Sequence, residues 1–107
     1  MAGFSNSGGG GTPSIWPTAA KTGNYTLTAT DAVVLVSASS GANTQTLPTA
    51  VGITGTQYTI KKTDTSLNVV TIATTSSQTI DGATTNVIAT PYESVTVVSD
   101  GANWSIV

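Results

Sequence analysis

Eight residues of this chain carry a formal charge: Lys21, Lys61, Lys62, Asp31, Asp64, Asp81, Glu93 and Asp100. They are the natural place to look for chemistry, and none of them forms a familiar catalytic spacing. Asp81 and Asp100 each precede a glycine, and Asp64 lies in a Thr/Ser turn. Short acidic side chains at such positions bond their own backbone, so turn chemistry accounts for all three. Asp31 is placed to cap the turn before an apolar run. A carboxylate pair can in principle hydrolyse a glycoside, but the chain is short for a sugar cleft and aromatics are few. A calcium site from Asp64 or Asp81 with backbone carbonyls would lack the spacing of an EF-hand loop. Hydroxyls abound, with 22 threonines and 12 serines, yet histidine is absent. A nucleophile needs an activating base, which leaves only a Ser–Lys pair. Lys61 and Lys62 fall in an alternating segment and read as solvated or interface charges. Lys62 shares a face with Tyr58 and Ile60, and either ends its strand or pairs with Glu93. The glycines at 8–11 lack the Gly-Lys-Ser/Thr that a phosphate loop requires. The expectation is no enzymatic activity, no metal and no cofactor.

Tyr58, Tyr92 and Trp104 could line a glycan site, but aromatics at strand positions more often pack in a core. Asn24-Tyr25-Thr26 and Asn103-Trp104-Ser105 match the glycosylation acceptor pattern, which arises readily by chance in so hydroxyl-rich a chain. A net charge of −2 gives no basic footprint for nucleic acid. Without cysteine there are neither disulfides nor thiolate metal sites. The first residues have neither the basic nor the apolar region of a secretory signal. The longest apolar runs, such as Ala32–Val36, are too short to span a bilayer. No membrane and no nucleic acid are expected as partners.

The elements that must position these residues are strands. Threonine is β-branched and strand-compatible, and no window repeats at helical spacing. A chain of 107 residues is one domain that buries about two-thirds of its unfolded surface. Candidate strands are Tyr25–Thr28, Ala32–Ser37, Thr44–Leu47, Gln57–Thr63, Asn68–Ala73, Gln78–Ile80, Thr85–Ala89 and a closing hairpin. Ala32–Ser37 reads as buried on both faces. In the hairpin Val95 and Val97 alternate with polar residues, Asp100-Gly101 marks a two-residue type I′ turn, and Trp104 shares a face with Ile106. Turn signals at this spacing predict an all-β fold, an antiparallel β-sandwich of jelly-roll type, over residues 21–107. Residues 1–20 differ. Their glycine run and the scattered Phe4, Ile15 and Trp16 read as an extended arm whose large apolar groups are anchors. With so little surface charge, the runs at Val33 and Val95 would be adhesive on an open edge. An obligate oligomer that hides them is the expectation, with a hydroxyl-coated monomer as the alternative.

Four segments carry a further signal: NYTLTATDAVVLVSASSGANTQTLPTA, QYTIKKTDTSLNVVTI, QTIDGATT and YESVTVVSDGANWSIV. In this order they resemble a small β domain that recurs in tailed-bacteriophage virion proteins, and the span that holds them, Lys21 to Val107, covers about four-fifths of the chain. That resemblance implies a trimer-forming, non-enzymatic β-sandwich of the kind found in tail fibres, spikes and head decoration proteins. The domain starts at its own Met1 without shaft repeats, and its one appendage is the short arm; both are taken to favour the head. The expectation is a trimeric capsid decoration, or cement, protein on the outer surface of the virion. Phe4, Ile15 and Trp16 would bind the major capsid protein, and Tyr58, Tyr92, Val95, Val97 and Trp104 would pack the core or the trimer. The alternative is a tail fibre or spike module that binds host glycans.

Overall fold

In a computed structural model the described residues are 15–107, and Phe4 lies outside them. Among the described residues the strands are β1 (Thr18–Lys21), β2 (Tyr25–Thr26), β3 (Val33–Val36), β4 (Asn43–Thr46), β5 (Gln57–Lys62), β6 (Val70–Ala73), β7 (Thr85–Ile88), β8 (Ser94–Ser99) and β9 (Trp104–Ile106), with no helix. They form two mixed sheets, one ordered β1-β3-β5-β8-β9 and the other β2-β4-β6-β7.

The first six strands alternate between the sheets, and each pairs in parallel with the strand two places along the chain. A parallel pair needs a connection that returns the chain to its starting end. Here that connection is the intervening strand of the opposite sheet, so the chain winds. The last three strands fold back: β7 runs antiparallel to β6, β8 to β5, and β9 to β8. The all-β class and the two layers agree with the sequence reading, whereas the antiparallel, jelly-roll connectivity does not hold for the first six strands. The physical reason is that Gly, Ser, Asn and Pro bend the chain equally well into a hairpin or around a corner into the facing sheet. Turn spacing therefore carries no information on strand direction. The boundary at residue 20 also falls inside β1, which pairs with β3 from Thr18 onward.

The sheets face each other across one apolar core. Val34, Val36, Tyr58, Ile60, Val97 and Trp104 enter it from the first sheet and Val70, Ile72 and Ile88 from the second. Leu27, Leu47, Ala50 and Ile80 close it from the connections. Strand alternation decides which residues reach it. In β3 it leaves Val33 and Leu35 half-buried on the outer face, so this strand is not buried on both sides.

The two Asp-Gly pairs form different turns. Asp81 and Gly82 have φ of 49° and 88°, and Ile80 pairs with Ala83 through backbone bonds of 2.6 and 3.0 Å. That is the tight turn with positive φ at both central residues. At the closing hairpin Ser99 pairs with Trp104, so Asp100 to Asn103 form a four-residue loop in which Gly101 alone has positive φ, at 98°. Asp100 Oδ1 accepts the N–H groups of Ala102 and Asn103 at 2.9 and 2.7 Å. The side chain thus replaces the backbone partner that a two-residue turn would use.

Candidate functional site

Each charged cluster is occupied by the fold itself. Lys62 points inward at the end of β5 and is fully buried. Its Nζ lies 2.9 Å from Asp64 Oδ2 and donates to the Ser66 carbonyl at 3.0 Å. The expected pairing of Lys62 with Glu93 is absent; Glu93 meets it through backbone only, its carbonyl accepting the Lys62 N–H at 3.0 Å. Asp64 also accepts the Ser66 hydroxyl, the Ser66 N–H at 3.0 Å and the Ala38 N–H at 2.8 Å. The Ser66 hydroxyl, then the Ala38 N–H and the Lys62 ammonium, hold its carboxyl well below the usual aspartate range. Asp31 Oδ2 accepts the Tyr25 hydroxyl at 2.6 Å and the Thr28 N–H at 2.8 Å, and so caps the turn before β3. Its bond with Tyr25 raises the phenol above its ordinary value. Among the described residues no three acidic side chains gather around a common point.

Of the residues proposed for packing, Tyr58, Val97 and Trp104 are in the core, and Val95 is packed partly buried against it. The Tyr58 and Trp104 rings meet at 5.6 Å, tilted by 54°. Tyr58 donates its hydroxyl to the Thr28 carbonyl at 3.1 Å. The Trp104 indole N–H finds no acceptor among the described residues. Tyr92 is not a core residue: it is 58% exposed, with φ of 63°, on the corner before β8. Its carbonyl accepts Lys61 Nζ at 2.7 Å. Ile15 is exposed and Trp16 half-exposed just before β1. The structure therefore does not assemble Tyr58, Tyr92 and Trp104 into one aromatic patch.

Buried polar residues were the part that pattern reading missed. Gln45 is fully buried and donates to the Gly23 carbonyl at 2.9 Å and to Asn43 Oδ1 at 3.0 Å. Gln78 accepts the Ala50 N–H at 2.9 Å, and the Ser99 hydroxyl donates to the Ala50 carbonyl at 2.7 Å. Together they hold the Pro48–Gly55 connection. Because β4 reads Asn-Thr-Gln-Thr, polar on both faces, alternation could not mark its inward side. Under that connection lies an open apolar groove of about 150 Å³, lined by Ala29, Pro48, Thr49, Ile53, Thr56 and Tyr58. It is smaller than a typical ligand pocket.

The outer face of the second sheet is uniform in character. The register puts Thr26, Thr46, Ala73 and Thr85 in one row and Thr44, Thr71 and Val87 in the next. The four strands of this sheet contain no acidic or basic residue. The outer face of the first sheet presents half-buried Val33, Leu35 and Val98 beside the Thr59–Thr96 hydroxyl pair at 2.8 Å. The sequence matches no family profile and no curated protein.

Proposed function

We propose that this chain is a structural protein of a tailed-phage virion, a capsid decoration or cement protein that binds the assembled shell. The observation that carries this reading is the ordered set of segments from Asn24 to Val107, which resembles the β domain of such virion proteins. Two features of the fold support a binding role: its carboxylates are engaged by its own backbone and hydroxyls, and one whole sheet presents uncharged threonine, alanine and valine. In this reading the protein acts as a homotrimer on the outer surface of the head, with Phe4, Ile15 and Trp16 against the major capsid protein. A protein that binds the closed shell and not its separated subunits stabilises the shell by linkage. Purified chain added to undecorated shells of its phage should co-sediment with them and raise their melting temperature. A chain lacking residues 1–16, and with them Phe4, Ile15 and Trp16, should lose that binding. Shells that neither bind it nor gain stability would overturn the proposal.

One observation favours a second reading, a glycan-binding fibre or spike module. Tyr92 is exposed beside Lys61, whose Nζ lies 6.0 Å from the ring centre. That reading requires sugar binding that is lost in Tyr92→Ala.

A further inference from the structure

Every open sheet ends in edges, and this molecule treats its edges unequally. β9 ends the first sheet, yet its outward groups are taken. Trp104 N–H donates to the Thr79 carbonyl at 2.8 Å, Asp81 N–H donates to the Trp104 carbonyl at 3.1 Å, and Ile106 N–H donates to Asp81 Oδ1 at 3.1 Å. At the other end of the sheets β1 follows Pro17 and carries Lys21, and β2 is two residues long. Shortness, proline and lysine are ordinary protections of an edge. β7 has neither proline nor lysine: Thr85, Asn86, Val87 and Ile88 include no charge and no proline, and the strand is as long as β1.

The ladder shows which groups of β7 are free. Leu47 N–H donates to the Ala73 carbonyl, and Asn43 N–H to the Val69 carbonyl. Residues 69, 71 and 73 therefore direct their backbone to β4, while Val70 and Ile72 bond to Ile88 and Asn86 of β7. The N–H and C=O groups of Thr85 and Val87 point the other way, and no described residue takes them. The Val87 side chain is 51% exposed at the middle of this edge.

We infer that β7 is a self-association edge that pairs antiparallel with β7 of a second copy across a two-fold axis centred on Val87. This register pairs the free groups of both strands, setting Val87 opposite itself and Thr85 opposite Ala89. It also keeps Asn86 and Ile88 on the core side of both copies, so the second sheet continues as one sheet of twice the width. No like charges meet, because neither strand has any. A second copy fits better than residues 1–14, whose glycine run is a poor strand former. The contact does not rest on the capsid reading; it joins copies in pairs whether or not another surface closes a trimer.

The test is the mass of the full-length chain in solution, across a concentration series, for wild type, Val87→Lys and Val87→Pro. The Val87 N–H takes no part in the β6 ladder, so proline removes an outward donor only. The wild type should be an even-numbered oligomer, a dimer or paired trimers, and each variant should halve its mass with native circular dichroism. Exchange of the Val87 amide in the wild type should accelerate on dilution, which reads the contact even where a variant misfolds. A monomeric wild type, an odd-numbered oligomer, or a mass that survives both variants would overturn the inference. So would Val87 protection that persists in the monomer until residues 1–14 are deleted, which would assign the edge to the chain's own terminus.

Discussion

Lys62 is accommodated fully buried because the turn that follows it supplies a carboxylate and a carbonyl within reach. Asp64 makes the cluster sensitive to acid. Its ordinary carboxyl value is 3.8, and its partners lower it in the folded state. The unfolded chain then binds the proton more tightly, so the stabilisation is complete above the ordinary aspartate range and is lost as pH falls through the lowered folded value. Asp64→Asn should reduce the melting temperature at neutral pH and flatten its fall below about pH 5. Asp100 is lowered in the same direction by the Asn103 and Ala102 N–H groups, so part of the acid slope should remain. A melting curve of the variant as steep in acid as the wild type would reject this account of Asp64. Trp104 gives a second residue-scale prediction. It is 1% exposed, and its indole N–H has no acceptor among the described residues. Trp104→Ala should cost about 3–5 kcal/mol in denaturant unfolding. Trp104→Phe should cost less than half of that, because it removes volume together with an unsatisfied donor. Equal losses in the two variants would count against that view. Alternation in Gln57–Thr63 put Lys62 on one face with Tyr58 and Ile60, but its charge suggested a solvated or interface position, and its full burial corrects that reading. Its partner was not legible, because Asp64 lies beyond the strand, where side-chain direction follows no period.

At the scale of elements, the strands were legible and their pairing was not. Tyr58 and Ile60 alternate with polar neighbours, Val70 and Ile72 flank Thr71, and Val95 and Val97 flank Thr96; burial of one face per sheet makes that pattern visible. Strand direction depends on where each connection sends the chain, and the same small turn residues serve both routes. The two Asp-Gly pairs illustrate this. Identical dipeptides make a two-residue turn at Asp81 and a four-residue loop at Asp100, because Trp104 is drawn to the core and to Thr79. The longer loop also brings Gly101 against Thr54: a Cβ there would lie 2.6 Å from Thr54 Oγ1, on a backbone with φ of 98°. Gly82, at φ 88°, has open space around it. Gly82→Ala should therefore cost about 1 kcal/mol, from backbone strain alone. Gly101→Ala should cost more, and Thr54→Ala should recover part of the difference in a double-mutant cycle. Additive losses at the two sites would show that the close approach has no energetic weight.

The described residues form a sparsely charged, hydroxyl-rich pair of sheets. Of the residues named for attachment, Ile15 and Trp16 stand beside β1 at the start of the sheets. The free edge of β7 ends the second sheet at its other side. In the proposed reading one end of the winding docks and the other meets a neighbouring copy. The candidate attachment surface was only partly legible in the sequence. The scarcity of charge was evident, but the uniform threonine face depends on the register of β2, β4, β6 and β7. β2, β4 and β6 are separated in the chain by whole strands of the other sheet, so no local window could reveal it. The most direct test of the decoration reading is a cryo-electron microscopy reconstruction of shells with and without the purified chain. The account predicts added density on the outer surface of the head, of the size of this two-sheet domain, in contact with the major capsid protein. Density confined to the tail, with a bare head, would contradict it.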